Sequence, residues 1–506
     1  MKTATGKTAV LLISPETGRL PEEMGPLSRY ISGKSGGLGE VVATLCEGLT
    51  RYGIECHLAT LNLKKRFQKE CRLDEDSWYQ IRHATESNRI HLVSSSNIFH
   101  LSSAYAGAPL QTAAEFQRQL VNYMIKDIRA NNRGNLIIHS HDWMAGGVVT
   151  AYARYRKIPV LHTIHNVHTG DLPMNMLSGV EIERLVPYLF FAKEDGTHCI
   201  DCQATAIKNA DLISFVGERF LKEMLEDHFS DQGIVADSVR NEIKEKYRHG
   251  AVHIIFNAPS PRVYPEHCEH LIRKYGPEDN VMASKRESLV EFQRRTGLNV
   301  NPDAILLYWP SRLDPTQKGI EILEDIAHRF VIVHGDAQIA IVGDGVGRDK
   351  THEEICGRIA WSSGGKITYQ HFDEALSMLG FAAASDVFGA SRYEPCGQID
   401  QVGNLYGATA TNRDTGGYHD KIRELILNID GASVDSGNGF LFRDYDAGGL
   451  WYGLRRAVEF HRRPAEVRER QIKRIMRETR QRYDPNRMVD LYINAYERLN
   501  GGVPLI

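Results

Sequence analysis

The sequence predicts an α/β protein made of two doubly wound domains in tandem. Apolar runs bordered by glycine alternate with helical patterns along most of the chain, which indicates βαβ units and parallel sheets. The alternation falls into two series, and a proline-containing segment separates them. At 506 residues the chain also exceeds what one hydrophobic core usually supports. Two domains are therefore expected.

The first series of apolar runs predicts the sheet of the N-terminal domain. Its first run, at 9–13, is too short for a secretory signal or a membrane span, so we interpret it as a buried strand. The predicted strands of this series are 9–14, 55–61, 136–139, 160–165, 212–216 and 252–256.

The second series predicts the sheet of the C-terminal domain. Its predicted strands are 304–310, 338–343, 366–369, 387–390 and 408–412, with helices at 320–330 and 374–384. Two prolines in the segment 257–262 disfavour helix and mark the crossing between domains. We therefore expect domains at 1–257 and 258–506, and we expect the last helices of the charged stretch 450–500 to pack back on the first domain.

Composition excludes several classes of partner. A net charge of -3 lacks the basic excess that favours nucleic acid or an anionic membrane. The eight cysteines are scattered, and Cys199 and Cys202 form a CxxC pair without a second pair to complete a zinc site. We expect reduced thiols in a cytoplasmic protein, with no metal and no other cofactor.

Two distant loops carry the most informative motifs. The segment 34–40 reads Lys-Ser-Gly-Gly-Leu-Gly-Glu, a glycine-rich turn that could bring backbone N–H groups close to a diphosphate. The segment 391–397 reads Ser-Arg-Tyr-Glu-Pro-Cys-Gly and places one carboxylate, Glu394, in a loop bounded by proline and glycine. Together they predict one sugar-nucleotide site divided between the two domains.

Two cations follow the first strand of the second domain. Arg312 and Lys318 would project from a loop at the carboxyl edge of the sheet, where open α/β sheets bind ligands. There they could stabilise a departing nucleotide diphosphate, or they could be ordinary surface cations. Glu394 likewise is either an exposed loop carboxylate or an acceptor for substrate or ribose hydroxyls.

Histidines mark the ends of two predicted strands in the first domain. His139 and His141 form a His-x-His pair, which can open a metal site, but no further cluster completes it. His165 and Asn166 end the next strand, and His165 is either a cleft residue or a structural histidine. Cys396 has no neighbouring base in the sequence, so we interpret it as lining its loop rather than acting as a nucleophile.

Taken in order, these motifs resemble the bacterial glycogen and starch synthase family. The resemblance spans almost the whole chain and rests on the segments 34–40, 141–143, 163–166, 311–319, 392–397 and 413–417 and on Asn257. It implies a GT-B fold, in which two Rossmann-like domains face a central cleft. It also implies transfer of glucose from ADP- or UDP-glucose to the non-reducing end of an α-1,4-glucan, with retention of the anomeric configuration.

The resemblance also assigns roles to individual residues. Three residues of the first domain would approach the donor diphosphate and sugar: Lys34, Gly36 and Gly37. Three others would surround the glucose: Asp142, His165 and Asn257.

In the second domain, Arg312 and Lys318 would neutralise the leaving phosphate, and Glu394 would orient donor hydroxyls. The remaining residues would line the donor pocket or offer backbone contacts near the phosphates, and these are Cys396, Gly397, Thr415 and Gly416.

One segment departs from the family pattern. After Glu-Pro-Cys-Gly the family usually continues Leu-Thr-Gln-Leu, whereas this chain has Gln-Ile-Asp-Gln at 398–401. We expect the Asp400 carboxylate to lie at a helix N-terminus and to oppose an anionic ligand. Three alternatives stay open: transfer to a small acceptor, a phosphorylase-like reaction on α-glucan, and a non-catalytic glucan-binding role.

Overall fold

The computed structural model describes residues 7–34, 36–83, 89–132, 134–194, 197–229, 232–346, 350–428 and 434–506. The chain divides into two compact units. Unit 1 consists of Met1–Val216, Leu221–Ala258 and Pro485–Ile506, and unit 2 consists of Gly217–Phe220 and Pro259–Asp484. Within the described ranges, no helix has both the length and the apolar composition needed to cross a membrane.

Unit 1 is built on a parallel sheet of seven strands. In chain order these are β1 (Ala9–Ile13), β2 (Glu55–Leu61), β3 (Ile90–Val93), β4 (Leu136–His141), β5 (Val160–Ile164), β9 (Leu212–Phe215) and β10 (Val252–Ile254). Their spatial order is β10-β9-β5-β4-β1-β2-β3, so the direction of winding reverses between β1 and β4. Every residue of β1 is buried, as expected for a parallel strand covered on both faces.

A small antiparallel sheet interrupts the βα alternation of unit 1. Its strands are β6 (Asp171–Pro173), β7 (Phe191–Glu194) and β8 (Thr197–Asp201), in the order β6-β8-β7. The helices up to residue 258 are α1 (Gly37–Arg51), α2 (Lys64–Cys71), α3 (Glu75–His83), α4 (Ser96–Phe99), α5 (Pro109–Gln119), α6 (Ile125–Asn131), α7 (Asp142–Ala145), α8 (Val148–Tyr155), α9 (Ile182–Leu185), α10 (Cys202–Asn209), α11 (Glu218–Leu225) and α12 (Asp237–Arg248).

Unit 2 repeats the architecture with six parallel strands. They are β11 (Ile305–Pro310), β12 (Ala337–Val342), β13 (Ile367–Gln370), β14 (Asp386–Gly389), β15 (Thr409–Arg413) and β16 (Gly439–Phe442), in the order β13-β12-β11-β14-β15-β16. This is the strand order 3-2-1-4-5-6 of the Rossmann fold. The remaining helices are α13 (Val281–Thr296), α14 (Ile320–Val333), α15 (Thr351–Trp361), α16 (Glu374–Ala383), α17 (Ile399–Leu405), α18 (Gly416–Lys421), α19 (Ala447–His461), α20 (Ala465–Arg482) and α21 (Pro485–Leu499).

Strand β11 shows how the unit 2 sheet is covered on both faces. Leu306 and Tyr308 belong to one hydrophobic cluster, whereas Leu307 and Trp309 belong to another. Successive side chains of a strand point to opposite faces, so the two clusters are the two sides of one sheet. Apolar side chains therefore cover most of both faces.

The predicted fold class is confirmed, since the chain contains two parallel sheets with flanking helices. Sequence reasoning missed β3 and β16, which have four residues each and lie at sheet edges, and it missed the antiparallel sheet. Length alone does not explain the two missed strands, because β9, β13 and β14 also have four residues and were predicted.

Helix α21 packs on α1 through a glycine contact that can be tested. A Cβ at Gly48 would lie 2.4 Å from Cγ2 of the buried Val489. We expect Gly48→Ala to lower the free energy of unfolding by about 1–3 kcal/mol because the contact becomes overpacked. The double variant Gly48→Ala/Val489→Ala should lose less stability than the two single changes added together.

Gly357 provides the matched control for this prediction. It lies inside helix α15, and a Cβ there would meet no atom within 4 Å. Gly357→Ala should raise the free energy of unfolding by roughly 0.5–1 kcal/mol, since alanine favours helix. Urea unfolding of the natural protein and the four variants measures this, and equal effects at Gly48 and Gly357 would contradict the proposed packing.

Candidate active site

The glycine-rich turn of unit 1 is anchored by a buried carboxylate. Glu16 lies just beyond the carboxyl end of β1 and is 2% exposed. Its Oε2 accepts a hydrogen bond from the backbone N–H of Gly36 at 2.9 Å, and its Oε1 accepts one from the Tyr105 hydroxyl at 3.0 Å. Gly37 is the first residue of α1, and Ser35 lies outside the described residues.

Sequence reasoning did not single out Glu16. The signal that could have found it was an acidic residue in the loop after the first strand, at the sheet edge where ligands bind.

Lys34 is fixed at both its ends. Its Nζ pairs with Oε1 of Glu40 at 2.9 Å, and its backbone carbonyl accepts a hydrogen bond from Nη1 of Arg66 at 3.1 Å. The side chain remains 26% exposed. The ammonium is therefore held beside the first turn of α1 while still accessible to solvent.

Asp142 and His165 are brought together at the ends of β4 and β5. Oδ1 of Asp142 accepts the backbone N–H groups of His165 at 2.7 Å and of Asn166 at 3.1 Å. Asp142 has a φ of 56°, in the left-handed region that aspartate tolerates better than most residues. Burial raises its pKa to about 7, and repulsion from Glu16 acts in the same direction.

The histidines at this edge are neutral. Nε2 of His165 lies 3.1 Å from Nδ1 of His141, so the two rings share one proton in a hydrogen bond. Burial lowers the pKa of His165 to about 3 and the pKa of His141 well below its usual range. His139 bonds instead to Thr163 and to Tyr496 of α21, both at 2.7 Å. The two histidines of the His-x-His pair therefore have different hydrogen-bond partners.

Asn257 lies three residues beyond the end of β10 and is 3% exposed. It belongs to unit 1 together with Lys34, Gly36, Gly37, Asp142 and His165. Strand β10 is the outermost strand on its side of the sheet, at the opposite end of the strand order from β3.

In unit 2 the structure pairs two predicted site residues directly. Nζ of Lys318 lies 2.6 Å from Oε2 of Glu394, and the side chains are 12% and 9% exposed. The Ser391 hydroxyl donates to the same oxygen at 2.9 Å. Because both donors use Oε2, Oε1 of Glu394 remains available to accept from a hydroxyl group.

A second turn packs against the glutamate loop, which we define as residues 391–397. Backbone N–H of Gly417 donates to the Glu394 carbonyl at 2.8 Å. Gly416 has a φ of +44°, and a Cβ there would lie 2.0 Å from the same carbonyl oxygen, so only glycine fits. Thr415 and Cys396 are buried beside this contact. The structure thus gathers Glu394, Cys396, Gly397, Thr415 and Gly416 in one place.

Comparisons with known proteins bear on these two edges. A family model of the starch synthase catalytic domain matches residues 22–237. The glycogen synthase of Exiguobacterium sibiricum is 26% identical over 465 residues, which cover 85% of this chain and 90% of that protein. The glycogen synthase of Bacillus subtilis is 25% identical over 457 residues, covering 85% and 88%. The chain is therefore similar to glycogen and starch synthases.

A solved structure agrees with the fold. The catalytic domain of starch synthase IV from Arabidopsis thaliana, bound to ADP and acarbose, is 19% identical and superposes with a TM-score of 0.72. The alignment covers 96% of this chain and 100% of that chain. The predicted GT-B fold class is thereby confirmed.

The resemblance to this family predicts Arg312 as a phosphate-neutralising cation. Arg312 is exposed beyond the end of β11. Two further arginines, which sequence reasoning did not assign, lie at the same sheet edge. The guanidinium groups of Arg392 and Arg413 are each 5.2 Å from the ring centroid of Tyr445, and Arg413 donates to the Arg392 carbonyl at 2.5 Å.

The family departure at 398–401 has a different consequence from the one expected. Asp400 does not face outward at the helix terminus, because its side chain is 1% exposed and pairs with Lys421 at 2.8 Å. Burial raises the pKa of Asp400, whereas the Lys421 ammonium opposes that effect. The expectation that this carboxylate opposes an anionic ligand is wrong, since a buried cation neutralises it.

One cluster within the described ranges has the chemistry of a metal site. Ligand atoms of Asp344, Glu353 and His371 lie within 4.8 Å of one another. His371 is hydrogen bonded to Asp344 at 2.8 Å, and Lys350 pairs with Glu353 at 2.8 Å. These protein contacts account for the cluster, which is distinct from the residues assigned through the family.

Asp142 gives a pH prediction whose sign follows from its raised pKa. Between about pH 4 and 7 the folded state keeps a proton that the unfolded state releases, so this group favours folding at low pH and loses that contribution as pH rises through 7. Asp142→Asn removes the titration and keeps an oxygen that can accept both N–H groups. The melting temperature of the variant, relative to the natural protein, should rise as pH increases from 5 to 8.

A surface substitution serves as the control for that measurement. Asp303 is 77% exposed at its side chain. Asp303→Asn should keep a constant offset in melting temperature across the same pH range. A constant offset for Asp142→Asn as well would contradict the raised pKa.

Proposed function

We propose that the chain is a retaining glucosyltransferase that extends an α-1,4-glucan at its non-reducing end, with ADP-glucose or UDP-glucose as donor. Similarity to glycogen synthases and to the starch synthase catalytic domain supports this activity. The relatives do not favour transfer to a small acceptor, a phosphorylase-like reaction or a non-catalytic role. ADP-glucose is the first donor to test, because starch synthase IV was solved with ADP.

The observation that carries the proposal is the Lys318–Glu394 pair. A partly desolvated ammonium lies 2.6 Å from a carboxylate that keeps one oxygen for a hydroxyl group. Lys318 can therefore stabilise charge on a departing phosphate while Glu394 accepts from the donor sugar or ribose. Groups fixed before the reaction stabilise developing charge without a reorganisation cost.

The two units supply different chemistry to this reaction. Unit 2 presents cations at its sheet edge, namely Arg312, Lys318, Arg392 and Arg413, and we assign to it the nucleotide diphosphate. Unit 1 presents the neutral His165 and the half-buried Asp142, and we assign to it the glucosyl and acceptor hydroxyls. Lys34 and the backbone at Gly36 and Gly37 would add contacts to the donor.

The reaction itself needs no protein nucleophile in this proposal. The incoming glucan hydroxyl would attack the anomeric carbon on the side from which the nucleotide diphosphate leaves, through an oxocarbenium-like state, so retention follows. The bond from this carbon to the phosphate oxygen breaks, and the departing phosphate takes up the hydroxyl proton. Alignment of donor and acceptor together with fixed charges then supplies most of the catalysis. Cys396 would line the donor pocket, and Thr415 and Gly416 would offer backbone contacts to the phosphates.

The activity can be tested with radiolabelled donors. Purified protein is incubated with labelled ADP-glucose or UDP-glucose and maltoheptaose, and both chain extension and nucleotide release are measured. We expect extended oligosaccharides in step with nucleotide release, with one donor preferred. Nucleotide release without extension would indicate hydrolysis or another acceptor, and the absence of both with either donor would contradict the proposal.

Neutral substitutions test the assigned roles of the ion pair. Glu394→Gln and Lys318→Met should each reduce kcat/KM for the donor by about 100-fold or more, because a positioned charge at the reacting centre is lost. Circular dichroism and melting temperature should show folded proteins in both cases.

Glu459 offers a matched control for Glu394. It forms an exposed ion pair with Arg455 on helix α19 at 2.8 Å. Glu459→Gln should leave donor kinetics within about twofold of the natural protein, since exposed pairs contribute little. Near-normal transfer by both Glu394→Gln and Lys318→Met would overturn the assignment of the site.

A further inference from the structure

The Asp400–Lys421 ion pair is completely buried and touches the glutamate loop. Each side chain is 1% exposed, and Nζ of Lys421 donates to Oδ1 of Asp400 at 2.8 Å. The same Nζ also donates to the carbonyl oxygen of Gly397, the last residue of the loop. A buried ammonium thus joins the helix that follows the loop to the loop itself.

Helix α18, which carries Lys421, contacts the backbone of the glutamate loop at two positions. At its start, the N–H of Gly417 donates to the Glu394 carbonyl. At its end, Lys421 donates to the Gly397 carbonyl. Between them the Tyr418 ring covers Gly397 so closely that a Cβ there would lie 2.3 Å from Cε1. The backbone at Glu394 and at Gly397 is therefore fixed by one short segment.

The backbone of Lys421 is itself held by distant parts of unit 2. Its carbonyl accepts from Arg482 at 3.3 Å and from Asn438 at 3.2 Å, and Arg482 also donates to the neighbouring Asp420 carbonyl at 2.7 Å. Lys421 is thus not a flexible surface lysine that happens to meet a carbonyl. It is a rigid bridge between helix α20 and the loop.

We propose that Asp400 and Lys421 are a positioning pair for the glutamate loop, so that the departure at 398–401 maintains the donor site instead of disrupting it. Lys421 fixes the Gly397 end of the loop, and Asp400 supplies the negative charge that lets a lysine be buried there. The role of the pair in donor binding rests on the proposed function, whereas its effect on the loop does not.

A double substitution separates positioning from stability. Lys421→Met leaves Asp400 buried without its cation, and Asp400→Asn leaves Lys421 without its anion, so each single change should lower the melting temperature. Asp400→Asn/Lys421→Met removes both charges and should recover much of that loss. It cannot restore the hydrogen bond to Gly397, so KM for ADP-glucose should stay raised by about tenfold or more, with KM for maltoheptaose within about twofold.

Lys285 provides a control of the same kind in the same unit. It is 7% exposed and donates to the carbonyls of Ala382 at 3.2 Å and Tyr406 at 2.9 Å, outside the glutamate loop. Lys285→Met should lower the melting temperature and leave KM for ADP-glucose within about twofold of the natural protein.

A measurement without substrate makes the proposal independent of the activity. Hydrogen exchange followed by mass spectrometry should show at least about tenfold faster exchange in peptides covering 394–401 for the double variant and for Lys421→Met. Lys285→Met should leave those peptides unchanged. If the natural protein transfers no glucose, the proposed function fails and the exchange result still decides the positioning role.

Two results would overturn the inference. One is a double variant that recovers both melting temperature and KM for ADP-glucose, since activity would then follow stability alone. The other is exchange in 394–401 that matches the natural protein when Lys421 is replaced by methionine, since the loop would then be held without the lysine.

Discussion

Parallel pairing in two sheets is the constraint on which the rest of the structure depends. Apolar side chains cover both faces of the unit 2 sheet, so charged groups cannot lie on the faces without desolvation. The carboxyl edge is left for them, and both sheets reverse their winding at the strand pairs β1–β4 and β11–β14. The loops after these four strands carry Glu16, Asp142, Arg312 and Glu394, as the switch-point rule for ligand sites requires.

Much of this fold could be predicted because buried parallel strands leave long apolar runs in the sequence. The edge strands β3 and β16 were not predicted, although β9, β13 and β14, which also have four residues, were. At the site, motifs identified Glu394 and Lys318 individually, yet their pairing at 2.6 Å joins residues 76 positions apart. The Asp400–Lys421 and Glu16–Gly36 contacts likewise depend on how helices meet strands, which no local periodicity records.

The ion pairs of unit 2 explain how several charges can lie in and around the glutamate loop. Lys318 neutralises Glu394, and Lys421 neutralises Asp400, so both carboxylates near the loop have a cation within 2.8 Å. A buried carboxylate without such a partner would rather take up a proton. The exposed Arg312 adds a further positive charge at the same sheet edge.

In unit 1, burial favours neutral side chains instead of ion pairs. Burial lowers the pKa of His165 to about 3 and raises that of Asp142 to about 7, so desolvation moves the imidazole and the carboxyl towards their neutral forms. Neutral imidazole and carboxyl groups suit hydroxyls, which donate and accept hydrogen bonds without carrying charge. Cations in unit 2 suit phosphate oxygens instead. The proposed assignment of the sugar to unit 1 and of the diphosphate to unit 2 therefore rests on neutral buried groups at the sheet edge of unit 1 and on cations at the sheet edge of unit 2.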